Sequence, residues 1–401
     1  MGALGLLGKS LSHSKSKEIH SFFLQEKYDL LEVEEGELSP LLQDTYDGFN
    51  VTIPYKEKII PFLEELSEEA KEIQAVNTIH LEEGKWKGYN TDALAFEQCL
   101  RHKGFPVENK EILVLGTGGA SKAVQYVLEK MGAKVILVSR TRKDHAITYK
   151  EIHQVSYQAI VNTTPVGMFP KLTESPISRH YLESCEWVVD IIANPLRTKF
   201  LQEAKCPSFG GLEMLVRQAA LADKIFRGVE VSESLIQSCL QSLQSQQRNL
   251  VLIGMAASGK STIAKSLDYP YFDLDEEISK LESKSIQEIF EDKSEEYFRS
   301  LEEKVALSLA QKQGVIIATG GGTILSEKAM QSLRANGFVV WLKRDIDKMI
   351  LGKDRPLYQD LSSIEKKYRE RMPLYEKYAD AILENNDSIE RCIEEIKEIY
   401  L

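Results

Sequence analysis

Two stretches of the chain share one pattern of hydrophobic and polar positions. Each has a short apolar run, a glycine-rich turn, and then apolar residues at helical spacing. The first extends from Ile112 to Leu128 and the second from Leu250 to Leu267. A strand, a glycine-rich turn and a helix in this order are typical of nucleotide-binding modules. The pattern therefore predicts two such modules of the α/β class.

The residues around the first module are also patterned. Upstream, the apolar run Gly48–Ile53 and the helical pattern over Ile59–Ile73 predict a separate α/β substrate domain. Downstream, apolar residues recur at helical spacing over Gly211–Arg227 and predict a helix that docks beside the module. The Ser- and Gln-rich stretch Gln237–Arg248 becomes less apolar just before the second strand, so we place the domain boundary there.

The composition is that of a protein that folds throughout. The chain has 401 residues, 43% hydrophobic and 28% charged, and this length predicts two or three domains. A formal net charge of −11 opposes nonspecific binding to nucleic acid or to anionic membranes. The five cysteines lack metal-ligand spacing, and no apolar run approaches the ~18 residues of a membrane span. We expect reduced, mostly buried thiols, small-molecule substrates and a cytoplasmic location.

The second glycine-rich turn, GMAASGKS at Gly254–Ser261, fits the phosphate-binding P-loop pattern. Loop N–H groups would hold the phosphates of ATP, Lys260 would reach the β and γ phosphates, and Ser261 would bind Mg²⁺. The alternative, a chance Gly-Lys turn, does not account for the flanking strand and helix. The residues expected at the nucleotide are Gly254, Ala257, Ser258, Gly259, Lys260, Ser261 and Thr262.

The motifs that follow the P-loop are FDLD, EYFRSLE, GGG, RPLY and RMPLYEKYA. With them, residues 249–401 resemble shikimate kinase. The resemblance implies that Asp273 binds Mg²⁺ and that Arg355, in RPLY, is a lid arginine at the ATP. It implies a shikimate-binding set of Asp275, Arg299, Gly320, Gly321, Gly322 and Arg371.

Phosphoryl transfer needs charge neutralisation and alignment of the attacking group. Lys260, Mg²⁺ and Arg355 would stabilise the developing charge, while Asp275 positions the attacking hydroxyl. Arg299 or Arg371 alone would more often be a solvated surface charge, but their joint spacing favours binding of a carboxylate. The stretches from Ser261 to Asp273 and before Arg355 are shorter than in the family, and a trimmed lid bears on ATP affinity.

The first glycine-rich turn lies in LVLGTGGASKA and suits close approach of a pyrophosphate. A structural strand-to-helix turn would give the same letters. After the next strand comes a basic run, where an NAD site would tend to carry an acidic residue, and this favours the 2′-phosphate of NADP. The residues expected at this cofactor are Gly116, Gly118, Gly119, Ala120, Arg140 and Thr141.

Six motifs, SHSKS, NVTIPYK, AVNT, YNTD, NTTPVGM and GGLEMLVRQA, occur in the order found in shikimate dehydrogenase. Residues 1 to about 245 resemble that family. The resemblance implies that Lys56 and Asp92 are catalytic and that Met168 lies near the nicotinamide. It implies a substrate-binding set of Ser14, Ser16, Thr52, Asn77 and Gln218.

The pair Lys56 and Asp92 suits ketone reduction, in which hydride goes to carbon and a proton to oxygen. A lysine held by an aspartate can donate or relay that proton. Lys56 taken singly could be a solvated residue in the first turn of a helix, and Asp92 could cap the helix that follows it. Their joint presence within NVTIPYK and YNTD favours catalysis, and a capping role can coexist with it.

The two resemblances predict the fold class, which is α/β throughout. We expect a substrate-binding domain over 1–104, with return helices over 211–240, and a Rossmann NADP-binding domain over 105–210. A P-loop kinase domain with a parallel sheet should cover 249–401.

Several positions depart from the dehydrogenase pattern. Ser10 and Lys17 stand where the family usually has proline, and Ala95 replaces a common glycine. Ala193, in DIIANP, replaces a usual tyrosine near the reacting groups. The segment from Arg142 to Asn162 is short and suggests a reduced helix in the cofactor domain.

Together these motifs predict a bifunctional enzyme of chorismate and aromatic amino acid biosynthesis. The first half would reduce 3-dehydroshikimate to shikimate with NADPH, and the second would phosphorylate shikimate with Mg²⁺ and ATP. One alternative is an active kinase joined to a weakly active or regulatory dehydrogenase-like domain. Another is a dehydrogenase that also accepts quinate.

Overall fold

The computed structural model describes residues 2–12, 14–23, 27–42, 46–143, 145–349 and 361–400. The chain divides into two units. The first unit consists of Met1–Val166, Pro176–Ala193 and Glu203–Ser242. The second consists of Gly167–Ser175, Asn194–Gln202 and Leu243–Leu401.

The strands of the first unit form two sheets. The strands are β1 (Ala3–Gly8), β2 (Tyr28–Glu32), β3 (Tyr46–Val51), β4 (Glu65–Leu66), β5 (Thr78–Glu82), β6 (Lys85–Tyr89), β7 (Glu111–Leu115), β8 (Lys134–Ser139), β9 (Ile147–Thr148), β10 (Ala159–Asn162), β11 (Trp187–Asp190) and β12 (Ser208–Gly210). Among the described residues, one sheet has the order β2-β1-β3-β5-β6-β4 and the other β12-β11-β10-β7-β8-β9. In the first sheet β1 and β3 are parallel, so the loops after both strands leave from the same edge.

The helices up to residue 247 are α1 (Ser16–Phe23), α2 (Leu38–Leu41), α3 (Glu68–Ile73), α4 (Thr91–Lys103), α5 (Gly119–Lys130), α6 (Lys199–Glu203), α7 (Leu212–Arg227) and α8 (Glu233–Gln247). In α5 the buried residues Ala123, Val124, Val127 and Leu128 recur at helical spacing and join the core that contains β7. This packing fixes the N-terminal end of α5 beside the glycine-rich turn.

The second unit contains a sheet of parallel strands. These are β13 (Asn249–Ile253), β14 (Tyr271–Asp273), β15 (Ile316–Ala318), β16 (Gly337–Lys343) and β17 (Ala381–Glu384), and among the described residues their order is β14-β15-β13-β16-β17. The helices are α9 (Lys260–Ser266), α10 (Leu274–Glu282), α11 (Ile286–Asp292), α12 (Glu295–Leu309), α13 (Glu327–Asn336), α14 (Leu361–Tyr378) and α15 (Ile389–Tyr400). The P-loop strand β13 lies between β15 and β16, and its Val251 and Ile253 are fully buried in the core.

The predicted fold class is confirmed, but the prediction of one helix over Ile59–Ile73 was wrong. The stretch Ile59–Ile73 is not a single helix. It contains a 3-10 turn at Ile60–Phe62, strand β4 paired with β6, and α3. The pairing with β6 extends the chain, and Ser67 then starts α3 afresh because its side chain accepts a hydrogen bond from the N–H of Ala70 at 3.2 Å.

Three further features bear on the sequence predictions. The polar stretch 237–248 lies almost entirely in α8, and two segments within the range 105–210 belong to the second unit. The short segment after Arg142 holds a 3-10 helix at Tyr149–Gln154 before β10. All five cysteines are free and four are buried. Every helix in the described part of the chain is too short or too polar to cross a bilayer.

Candidate active sites

The loops after β1 and β3 carry the first group of predicted dehydrogenase residues. Ser14 precedes α1, and its hydroxyl accepts the N–H of Ser16 at 3.2 Å and donates to the Ser16 hydroxyl at 3.1 Å. The N–H of Thr52 donates to the carbonyl of Leu7 at 2.9 Å, which ties the start of the loop after β3 to β1. A cluster of hydroxyl groups at one sheet edge can bind a carboxylate through neutral donors.

Lys56 and Asp92 form an ion pair in the first unit. Lys56 Nζ lies 2.5 Å from Asp92 Oδ2, and the side chains are only 18% and 11% exposed. The helix that carries Asp92 is capped by Asn90, whose side chain accepts the N–H of Ala93 at 3.0 Å. The carboxylate of Asp92 is thus not the cap of α4 and is available to hold the lysine.

The ion pair lies beside the predicted cofactor turn of the same unit. A Cβ placed on Gly119 would lie 3.7 Å from Cβ of Lys56. Gly116 has a φ of +111°, which favours glycine, and its carbonyl accepts the hydroxyl of Ser121 at 2.8 Å. This geometry brings the lysine next to the N-terminus of α5, where a pyrophosphate is favoured.

A buried polar network surrounds Asn77. Its Nδ2 donates to Thr91 Oγ1 at 2.9 Å and to Gln218 Oε1 at 3.4 Å, and its Oδ1 accepts the N–H of Thr91 at 2.7 Å. Asn50, which the sequence reasoning did not single out, donates to Thr78 Oγ1 at 3.1 Å and accepts the hydroxyl of Tyr28 at 2.8 Å. An asparagine at a core position of an apolar strand was the signal that could have identified it.

The basic residues expected at NADP lie after β8. Arg140, Thr141 and Lys143 are exposed, and Lys143 Nζ also contacts Thr117 Oγ1 in the glycine-rich turn at 2.8 Å. Ala120 lies in the first turn of α5. Met168 is 47% exposed and belongs to the second unit.

The P-loop of the second unit wraps around the amine of Lys260. Nζ donates to the carbonyls of Gly254 at 3.0 Å and Met255 at 2.8 Å, and the residue is 6% exposed. Gly254 and Gly259 have φ values of +146° and +94°, and Ala257 has +62°. These conformations form the loop between β13 and α9, and Ser261 and Thr262 follow in the first turn of α9.

A hydroxyl and a carboxylate meet at the start of α9. Ser261 Oγ donates to Asp273 Oδ2, while Asp273 Oδ1 accepts the N–H of Asp275 at 3.0 Å and caps α10. The described residues contain no cluster of three or more His, Cys, Asp or Glu side chains that could hold a metal. The oxygen pair nevertheless fits Mg²⁺, which commonly takes one or two protein carboxylates together with water and substrate phosphates.

The turn Gly320–Gly322 brings together the predicted shikimate-binding residues. A Cβ on Gly322 would lie 2.0 Å from Arg299 Nη1, and one on Gly320 would lie 3.1 Å from Asp275 Oδ1. Arg371 Nη1 donates to the carbonyl of Gly321 at 2.8 Å. Glycine at positions 320 and 322 leaves room for the neighbouring side chains, so the turn, an aspartate and two arginines form one site.

Two acidic residues hold Arg299, one of the cations of this site. Arg299 donates to Glu302 at 2.6 Å and to Glu295 at 3.1 Å. Burial alone would lower the pKa of Arg299, but these carboxylates raise it. Burial and the charges of Arg371 and Arg299 lower the pKa of Lys367, despite Glu295. Lys367 is therefore a third cation near the site, and no sequence motif indicated it. Arg355 lies outside the described residues.

Comparison with known proteins finds a family match in each part of the chain. The shikimate dehydrogenase substrate binding domain matches residues 6–79, and shikimate kinase matches residues 256–400. The chain is 38% identical over 264 residues to the shikimate dehydrogenase (NADP(+)) of Clostridium beijerinckii, which covers 60% of this chain and 98% of that protein.

Solved structures of shikimate dehydrogenases are also similar to this chain. A chorismate mutase/shikimate 5-dehydrogenase fusion protein from Clostridium acetobutylicum has a TM-score of 0.59 at 32% identity, covering 61% of this chain and 97% of that chain. Shikimate 5-dehydrogenase from Thermus thermophilus, in complex with NADP(H) and shikimate, has a TM-score of 0.55 at 30% identity, covering 60% and 99%. The N-terminal part of the chain belongs to the shikimate dehydrogenase family, and it is fused to a shikimate kinase domain.

Proposed function

We propose that the chain carries out two consecutive reactions of chorismate biosynthesis. The first unit reduces 3-dehydroshikimate to shikimate with NADPH, and the second phosphorylates shikimate to shikimate 3-phosphate with ATP. The hydroxyl made by the first reaction is the one phosphorylated in the second. Two observations support the proposal: the Lys56–Asp92 ion pair in the first unit, and the contacts of Asp275, Arg299 and Arg371 with the turn Gly320–Gly322 in the second.

In the first unit, Lys56 is the proton donor to the ketone oxygen and Asp92 holds its amine. The short ion pair and its low exposure support this role, because a fixed lysine beside the cofactor turn can deliver a proton as hydride arrives. Ser14, Ser16, Thr52, Asn77 and Gln218 bind the substrate. NADPH supplies the hydride, and Arg140 and Thr141 bind its 2′-phosphate.

In the second unit, Asp275 orients the attacking hydroxyl of shikimate, and Arg299 and Arg371 bind its carboxylate. Their common contact with the turn Gly320–Gly322 supports this assignment. Lys260 and Arg355 stabilise the charge on the transferred phosphoryl group. Mg²⁺ would be held by Ser261 and Asp273 and would neutralise phosphate charge.

A second candidate is a kinase with a weakly active dehydrogenase unit. Ala193 favours it, because the methyl group cannot supply the hydroxyl that the family's usual tyrosine brings near the reacting groups. Retention of the Lys56–Asp92 pair favours a working enzyme. NADPH oxidation by the intact chain with 3-dehydroshikimate decides between the two. For the same small-molecule pathway we propose a cytoplasmic location, which cell fractionation tests.

Two variants test the assignment in the intact chain. Lys260→Ala should stop conversion of 3-dehydroshikimate at shikimate, with kinase kcat/KM reduced about 100-fold or more because the P-loop loses its cation. Lys56→Ala should reduce dehydrogenase kcat by about 100-fold or more and leave phosphorylation of added shikimate unchanged. If either variant, folded by circular dichroism, lost both activities, the two-site assignment would be wrong.

A further inference from the structure

Two short segments that interrupt the first unit in sequence are integral parts of the second unit. These inserted segments are residues 167–175 and 194–202. Leu172 is only 4% exposed and lies in the main hydrophobic core of the second unit, and Phe169 packs against that core. The N–H of Phe169 donates to the carbonyl of Asn194 at 3.1 Å and joins the two segments. Neither segment lies within residues 256–400, which match shikimate kinase.

Arg197 satisfies the C-terminal end of α13. The helix ends at Asn336, and the next residue, Gly337, already has extended backbone and begins β16, so no left-handed turn caps the last carbonyls. The Arg197 N–H donates to the carbonyl of Ala335 at 2.9 Å, and Nε donates to that of Arg334 at 3.1 Å. Nη2 donates to the carbonyl of Gly337. One arginine thus takes up three carbonyls at the helix-to-strand junction.

Asn336 adds a second attachment at the same junction. It is 2% exposed, accepts the N–H of Leu196 at 2.8 Å, and donates to Asn194 Oδ1 at 3.3 Å. This reciprocal pairing of an amide side chain with the inserted segment fixes the register of residues 194–197. The contact is therefore specific in geometry as well as buried.

Arg197 also binds Asp380 through a two-pronged ion pair. Nη1 lies 2.8 Å from Oδ1 and Nη2 lies 3.0 Å from Oδ2, and Oδ2 also accepts the N–H of Val339 at 2.8 Å. Burial alone would raise the pKa of Asp380, but Arg197 and the Val339 N–H hold it below its usual value. The stabilisation by this carboxylate is therefore present above its ordinary pKa and is lost as pH falls through the lowered one.

Asp380 immediately precedes β17, and the residue after this strand contacts the P-loop. β17 is an edge strand of four residues that pairs only with β16 among the described strands. At its other end, Asn385 donates from Nδ2 to the carbonyl of Ser258 at 2.8 Å, and a Cβ on Gly259 would lie 2.4 Å from that nitrogen. A short edge strand depends on its end attachments, and here one end is held by Arg197 and the other holds the P-loop.

We propose that Arg197 is a positioning residue for ATP in the second unit, although it lies within the dehydrogenase part of the sequence. It acts through Asp380, β17 and Asn385 on the backbone around Ser258. The inference rests on the proposed kinase function of this unit. Loss of Arg197 should loosen the phosphate-binding loop more than the shikimate site, whose arginines lie on α12 and α14.

Kinase kinetics and MgATP binding of the intact chain test the proposal. Arg197→Ala should raise both the KM and the Kd for ATP about tenfold, a loss of about 1.4 kcal/mol, and should change the KM for shikimate less than twofold. Arg197→Lys keeps the charge but not the two-pronged geometry and should fall between. Lys171→Ala removes an exposed charge from the other inserted segment and should change neither constant.

The outcomes are separable. Unchanged ATP constants in a folded Arg197→Ala protein would overturn the proposal, as would a lower unfolding temperature alone, which indicates support without positioning. If Arg197→Ala does not fold, the ATP constants of Arg197→Lys decide in the same way. An unmodified chain that binds MgATP but does not phosphorylate shikimate would refute the proposed kinase activity. The Kd for ATP of Arg197→Ala, compared with that of the unmodified chain, would still test the role of Arg197.

Discussion

The two proposed substrate sites offer different chemistry to a carboxylate. In the first unit the predicted donors are neutral hydroxyl and amide groups such as Ser14, Ser16 and Asn77, which bond to one another or to neighbouring polar groups in the structure. In the second unit they are Arg299 and Arg371, and Glu302 and Glu295 hold Arg299 in place. A charged site therefore needs its own counter-charges, whereas a neutral site needs only mutual hydrogen bonds.

This contrast follows from the reactions proposed. The kinase must hold shikimate beside the anionic phosphates of ATP, so fixed cations offset repulsion between two anions. The dehydrogenase transfers hydride and a proton to a ketone. In the proposed mechanism its ion pair Lys56–Asp92 delivers the proton and does not bind the carboxylate. The cost of removing one group should therefore differ between the units.

Among variants that test carboxylate recognition, the largest effect is expected for Arg299→Ala. The carboxylate of shikimate would lose a charged partner, and Glu302 would be left buried without its cation, so the KM for shikimate should rise about 10- to 100-fold. The KM for ATP should change little, as measured by steady-state kinetics. Arg369→Ala, which removes an exposed arginine on α14, is the control. An unchanged shikimate KM would remove Arg299 from the site.

A smaller effect is expected for Ser14→Ala in the first unit. Loss of one neutral hydrogen bond should raise the KM for 3-dehydroshikimate about two- to tenfold. Ser21→Ala, on the exposed face of α1, should have no effect, and kinase activity of the same protein reports on folding. If Ser14→Ala cost as much as Arg299→Ala, the contrast between neutral and charged recognition would be wrong.

The smallest effect concerns the pH dependence of the kinase. The pKa of Lys367 is lowered, chiefly by burial and then by Arg371, so this lysine loses its charge at lower pH than an ordinary lysine. Anion binding weakens as pH rises through that pKa, and the KM for shikimate should increase about two- to fivefold on the alkaline side. Lys367→Met should have the higher KM already at neutral pH and a flatter profile. An identical profile in both proteins would exclude Lys367.

Local patterns predicted the parts of the site whose geometry is local. The P-loop could be predicted because glycines at Gly254 and Gly259 adopt conformations that favour glycine, and Lys260 follows directly. The pairing of Lys56 with Asp92 could be predicted only through the family resemblance, since 36 residues separate them. Asn90 rather than Asp92 caps α4, because Asn90 has the extended backbone of an N-cap residue and its side chain accepts the N–H of Ala93.

Long-range contacts could not be predicted from patterns. Lys367 and Arg197 are ordinary charged residues in sequence, and their surroundings come from residues brought close by folding. The boundary stretch Gln237–Arg248 was chosen for its loss of apolar residues; α8 continues through it as a helix, and the two units divide within it between Ser242 and Leu243. No pattern in 167–175 or 194–202 indicated membership in the second unit, because the partners that hold them there are distant in sequence, as with Arg197 and Asp380, 183 residues apart.

The inserted segments also set an order of events during synthesis. Arg197 leaves the ribosome 183 residues before its partner Asp380, which at ~5–20 residues per second corresponds to roughly 10 to 40 s. Until β13 to β17 have been made, Leu172 and Phe169 have no core to enter. We therefore expect Leu172 and Phe169 to stay outside that core until strands β13 to β17 have emerged from the ribosome. Both inserted segments can complete their packing only then.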